Sequence, residues 1–166
     1  MKQKSILIIC LFLLAGLVSA CAGKSTATPA PDLQPQAEAA LRDFYGSLNS
    51  ADYAKAETLY GGSYELLQNM NPVVDPNDHL TLFTNGCTMN GFQCLKVMDV
   101  SLKEQKSATE FVFTVKFQNA DGSQFIQGPC CGQTEAESPS KPTFDITVSQ
   151  NAAGQFVVMD MPPYVP

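Results

Sequence analysis

The spacing of the apolar residues changes once along this chain, and that change limits the folds open to it. From residue 37 to residue 48 apolar side chains recur at intervals of three and four, which predicts a helix with one apolar stripe. Beyond Cys94 they recur at every second position, most regularly between residues 111 and 117, which predicts strands. Helices followed by antiparallel strands predict an α+β fold, with the N-terminal helices packed on one side of a curved antiparallel sheet.

Local signals give the expected limits of these elements. The first helix is predicted to begin at Pro35, the second at a Ser50 cap, a short third at a Ser63 cap, and the fourth at Asp75. Strands are predicted around residues 97–102, 111–117, 124–127, 144–148 and 155–161. The connection over residues 128–142 is longer than usual, so we expect disulfides to staple it.

The first twenty residues have the order of a secretory signal. Lys2 and Lys4 make a positive start, thirteen mostly apolar residues run from Ile6 to Val18, and two small residues follow. This run is shorter than the roughly 20 apolar residues that span a bilayer. An uncleaved membrane helix, extended through residues 19–22, is the alternative.

The end of this segment, Val18-Ser19-Ala20-Cys21, resembles the lipobox of bacterial lipoproteins. The resemblance implies that residues 1–20 are removed and that acyl chains such as palmitate are carried by Cys21. Two or three chains hold a protein to a membrane far better than one. The small, polar, proline-bearing residues 22–35 are then a flexible linker that follows the lipidated residue, and residues 36–166 form one domain. An ordinary signal peptide with a cysteine after its cleavage site is the competing interpretation.

Charge bears on the partners. Loss of residues 1–20 would leave 8 basic and 16 acidic side chains, a net charge of −8. Such an acidic surface argues against nucleic acid and anionic lipid headgroups as partners.

Four further cysteines remain, namely Cys87, Cys94, Cys130 and Cys131. An even set in an exported domain predicts two disulfides. Pairing the first two would leave a strained bond between adjacent residues, so we expect both bridges to run between the 87/94 and 130/131 segments. A zinc site is the alternative, but the spacing fits metal ligands badly. We predict no metal and no cofactor.

The order of elements, together with Phe44-Tyr45 and Asp52-Tyr53 at the opening helices, is similar to the NTF2-like (cystatin-like) superfamily over residues 36–166. That resemblance implies a curved sheet wrapped around a long helix, making a cone that can hold a pocket. More specifically, the chain resembles uncharacterised NTF2-like lipoproteins of the bacterial envelope. Enzymes of the superfamily place a carboxylate or histidine and tyrosines inside the cone, and here Tyr45, Tyr53, Asp99 and Asp160 are the candidates. For both aspartates an outward strand position is the preferred interpretation.

His79 is the only histidine, and Asp75 or Asp78 could orient its ring on a helix. The sequence shows no Ser or Cys nucleophile beside it. The preferred interpretation is therefore that His79 is exposed and has no catalytic role. The sheet also carries several phenylalanines. Tyr45, Phe111, Phe113 and Phe144 are the possible walls of a ligand pocket, although such a set is first expected to be core.

The sequence therefore predicts a lipid-anchored envelope protein on the extracytoplasmic face of a membrane. We expect a non-enzymatic module that binds a small apolar ligand or an envelope protein. The alternative is a proton-transferring isomerase or dehydratase that uses a carboxylate in the cone.

Overall fold

A computed structural model describes residues 32–166 as four helices followed by four antiparallel strands. The α+β class is therefore confirmed. The predicted signal segment, Cys21 and most of the predicted linker lie outside the described residues. The elements are α1 (Gln34–Asn49), α2 (Tyr53–Thr58), α3 (Glu65–Met70), α4 (His79–Thr88), β1 (Lys96–Gln105), β2 (Glu110–Gln118), β3 (Phe144–Gln150) and β4 (Phe156–Val158).

Helix α1 has the predicted apolar stripe, because Ala37, Leu41, Phe44 and Leu48 are all buried. The helix begins at Gln34, one residue before the predicted start, and Pro35 lies in its first turn, where a missing N–H costs nothing. This stripe faces the sheet, and α1 contacts all four strands. The longest helix therefore organises the core.

Aspartates cap α2 and α4 instead of the residues predicted for that role. Asp52 accepts a hydrogen bond from Lys55 N, and Asp78 accepts one from Thr81 N. Ser50 instead terminates α1. Asp75 bonds the backbone N–H of Asn77 in a turn that precedes α4, so the helix starts three residues later than a cap at Asp75 would allow.

The strands lie in sequence order, β1-β2-β3-β4, and each pairs antiparallel with the next. The predicted strand at residues 124–127 is wrong, because that segment makes only isolated bridges, to Gln118 at one end and to Lys141 at the other. Strand β4 is shorter than predicted. Its last residue, Val158, also exchanges backbone hydrogen bonds with Leu59 and Gly61. These bonds lie on the edge of β4 that does not pair with β3.

The space between helices and sheet is filled by aromatic rings. Six of them are at most 2 % exposed: Phe44, Tyr45, Phe83, Phe111, Phe113 and Phe117. Several of these rings meet edge-on, as Tyr45 does on Phe117 with centroids 4.9 Å apart. Phe111 and Phe113 are stacked, with centroids 6.2 Å apart. Burial of each ring contributes about 1.5–3 kcal/mol. Phe111 and Phe113 are thus core, as the sequence first indicates, whereas Phe144 is half-buried.

Candidate functional site

A cleft of about 400 Å³ lies between the start of β3 and the chain that follows β4. Its apolar wall comes from Phe144, Ile146, Met161 and Pro163. Its polar side chains are Lys141, Thr143, Asp145 and Asp160. The volume suits a small ligand.

Asp160 is held in this cleft by the sheet. Strand pairing continues one residue past β4, where Met159 N donates to Thr147 O at 2.9 Å. At the next position the Asp160 side chain takes over as acceptor, and its Oδ2 lies 2.6 Å from Thr147 N. The carboxylate therefore replaces a backbone carbonyl, and its position is set by the end of the β3–β4 ladder.

Tyr45 ties the backbone of Asp160 to α1. Its hydroxyl donates to the Asp160 carbonyl oxygen at 3.4 Å. Burial raises the pKa of the Tyr45 phenol well above its usual value, and the charge of Asp160 raises it further. Tyr45 consequently stays a neutral hydrogen-bond donor to the Asp160 backbone.

The two other charged groups of the cleft differ in their pairing. Asp145 accepts from Lys103 Nζ at 2.6 Å and from Thr114 Oγ1 at 3.2 Å, and these contacts, the lysine first, lower the pKa of its carboxyl. Lys141 is exposed and forms no salt bridge within residues 32–166. Its ammonium group is thus available to an anionic ligand.

Of the four residues predicted to line a pocket, the structure brings only Phe144 to this cleft. Tyr45, Phe111 and Phe113 are fully buried and do not border it. The reason is that their rings are used in packing α1 and β4 against β2; Phe111, for example, lies 5.9 Å from Phe156. Met161 and Pro163, which sequence reasoning missed, take their place, and no local pattern distinguishes them.

The carboxylates considered for proton transfer are separated by the fold. Asp99 is exposed on β1, with Oδ2 3.7 Å from Lys116 Nζ, as expected for an outward position. Asp160 is half-buried at the cleft, so an outward position is wrong for this residue. Tyr53 is partly buried at the start of α2 and packs against the core.

His79 has a different partner from those expected. Its Nδ1 lies 3.2 Å from Glu57 Oε1, and its ring stacks on Tyr64. The Asp78 carboxylate caps α4 by accepting from Thr81 N, and the Asp75 carboxylate accepts from Asn77 N. Neither aspartate therefore orients the imidazole. The histidine is half-buried rather than exposed, and the cleft residues do not include it.

The cysteines pair within one segment. Cys87, in α4, is bonded to Cys94, and their Cα atoms are 5.5 Å apart. Cys130 and Cys131 carry free thiols. The expectation that both bridges join the two segments is therefore wrong, because the turn after α4 brings Cys94 back to the helix.

Within residues 32–166 no three His, Cys, Asp or Glu side chains are grouped so that they could hold a metal ion. Over the same residues no helix has the length and apolar character needed to cross a membrane. The sequence matches no protein-family model and no curated protein at a significant level.

Proposed function

We propose that this chain is a lipid-anchored binding module of the bacterial cell envelope, without catalytic activity. In this proposal Cys21 carries the anchor, and the domain belongs to the NTF2-like class. The signal-like segment and lipobox support the anchor. The contacts of α1 with all four strands of one antiparallel sheet support the fold assignment.

The observation that carries the binding role is the composition of the cleft. One wall is apolar, and Lys141 stands at it with no acidic partner among residues 32–166, whereas Asp145 is already paired with Lys103. The Asp160 carboxylate, the other charge of the cleft, already accepts a hydrogen bond from Thr147 N. An apolar surface with an unpaired cation suits a small amphiphile that carries an anionic group. The aromatic core, by contrast, is packed with rings, which favours the cleft over the cone interior as the ligand site.

Binding can be tested with anilinonaphthalene sulfonate, a fluorescent aromatic anion. We expect a saturable rise in fluorescence that Lys141→Glu weakens, by about threefold to tenfold if the pairing is worth about 1 kcal/mol. Lys96→Glu is the matched control, since Lys96 is another exposed lysine without a salt bridge in the described residues and lies outside the cleft. Equal binding by both variants would contradict the proposed site.

The anchor is tested separately. The wild-type protein should enter the detergent phase when membranes are extracted, and its intact mass should show loss of residues 1–20 together with added acyl mass. Cys21→Ser should abolish both the acyl mass and the partition into detergent. A Cys21→Ser protein that is still trimmed and still membrane-bound would contradict the lipid anchor without affecting the cleft.

One observation favours a second candidate function, proton transfer. The Asp160 carboxylate borders the cleft and could reach a bound substrate. Asp160→Asn separates the two functions. It should preserve anion binding or strengthen it, because one negative charge leaves the cleft, if the module only binds. It should abolish turnover if any activity is found.

A further inference from the structure

The thiols of Cys130 and Cys131 lie on adjacent residues of the segment between β2 and β3. The base of this segment is pinned, because Gln127 and Lys141 exchange two backbone hydrogen bonds of 3.0 and 2.8 Å. Within it, Glu137 accepts from both the backbone N–H and the hydroxyl of Thr134. The two cysteines therefore lie in a loop that is held by hydrogen bonds at its base and within it.

A tight turn holds the pair. Gln133 N donates to the Cys130 carbonyl oxygen at 3.0 Å, and the two central residues, Cys131 and Gly132, have φ of 61° and 80°. Turns with two positive φ values normally take Asn, Asp or Gly at the first central position. A cysteine there holds a costly backbone conformation, of the sort that is often kept for a functional reason.

The two cysteines differ in exposure. Cys131 is exposed, whereas Cys130 is half-buried. The adjacent Cys130 side chain is the main reason that the pKa of Cys131 is raised. The Cys131 thiol is therefore protonated near neutral pH. Neither cysteine is used by the Cys87–Cys94 bridge.

We propose that Cys130 and Cys131 form a thiol–disulfide exchange site that interconverts between a dithiol and a bond joining these adjacent residues. The oxidant is a disulfide, either small or carried by a partner oxidoreductase. This site does not depend on the lipid anchor or on the cleft.

The steps balance as an exchange of electrons and protons between two thiol pairs. The exposed Cys131 gives up its proton, and its sulfur attacks the oxidant disulfide, forming a mixed disulfide and releasing one thiolate. The Cys130 thiol then loses its proton, and its sulfur attacks that of Cys131, closing the bond and releasing the second thiolate. The two protons lost by the cysteines end on the two released thiols, and the oxidant has gained two electrons.

Glutathione buffers of stepped redox ratio test this on the full protein in detergent. After acid quenching, alkylation and cleavage after lysine, the fragment that begins at Phe117 contains no cysteine except this pair. As the buffer becomes more oxidising, this fragment should change from a doubly alkylated form to an unalkylated form. The unalkylated form should be lighter than the unmodified dithiol fragment by two hydrogen atoms, as a disulfide requires. The change should occur at a more oxidising ratio than for the 56–96 fragment, because a bond between adjacent residues closes a small, strained ring.

Single variants assign the roles of the two sulfurs. Cys130→Ser should stop at the stage where glutathione stays attached to Cys131. Cys131→Ser should acquire glutathione several-fold more slowly, because Cys130 is half-buried. The proposal is overturned if the wild-type fragment stays doubly alkylated at every ratio, if it retains glutathione, or if either cysteine is found bonded to Cys87 or Cys94.

Discussion

The imidazole of His79 lies flat on the phenol ring of Tyr64, with ring centroids 3.8 Å apart and planes 5° from parallel. Glu57 meets the Nδ1 edge of the same imidazole, and Tyr64 packs edge-on against Phe83. The histidine thus joins α4 to α2 and to the residue that precedes α3. We regard it as a packing residue with a polar edge.

Truncation of this side chain should destabilise the fold. His79→Ala removes both the stack and the contact with Glu57, so we expect the free energy of unfolding to fall by about 1–2 kcal/mol. His79→Phe keeps an aromatic ring on Tyr64 and should recover most of that loss. Urea denaturation of the two variants measures this, and equal losses would show that the stack contributes little.

A buried asparagine ties α3 to α4. The Asn71 Nδ2 donates to Leu67 O at 2.7 Å and to Asn90 Oδ1 at 2.9 Å, and its Oδ1 accepts from Asn85 Nδ2 at 2.9 Å. Asn71→Leu should cost about 2 kcal/mol, because it leaves buried polar groups without partners. Asn69→Leu, at an exposed position of α3, is the matched control and should change stability by less than about 0.5 kcal/mol. Similar losses in the two variants would contradict the role of this network.

The Cys87–Cys94 bridge should contribute measurably to stability. It joins residues seven apart, and the chain-entropy relation gives about 2–3 kcal/mol for a loop of this size. We expect the double variant Cys87→Ser/Cys94→Ser to lose that amount in urea denaturation. Cys130→Ser/Cys131→Ser should lose less than about 0.5 kcal/mol, since these residues close no long loop. A large loss in the second variant would instead indicate bridges between the two segments.

Stability should decline in alkaline solution because of three tyrosines. Burial raises the pKa values of Tyr45, Tyr60 and Tyr64 above the usual 10.0, and nearby carboxylates raise them further. The unfolded chain therefore loses these protons at lower pH than the folded chain. The stabilising contribution is complete below about pH 10 and is lost as the pH rises from there toward the folded values.

Unfolding free energies measured at stepped pH should show this decline, and Tyr45→Phe should make it shallower. In the wild type, the phenolate absorbance of these residues should rise together with the loss of circular dichroism. A complete rise in absorbance while the dichroism stays native would contradict the predicted order.

The sequence was sufficient for features that depend on neighbouring residues. The three- and four-residue spacing of Ala37, Leu41, Phe44 and Leu48 places them on one side of any helix, so their burial follows once the helix packs. The alternation through β2 works in the same way and places Phe111, Phe113 and Phe117 on the core side. These two periods together determined the α+β class.

Tertiary structure decided everything that depends on chain segments meeting. Glu57 is twenty-two residues from His79, and no periodic pattern links them. The bonding of Cys94 to Cys87 depends on how the chain turns after α4, and counting cysteines allows every pairing. The cleft arises because β4 stops at Val158 and the Asp160 carboxylate takes the hydrogen bond of Thr147. Periodicity records which face of an element is buried, whereas a site depends on distances between elements, and these are set only when the whole core has packed.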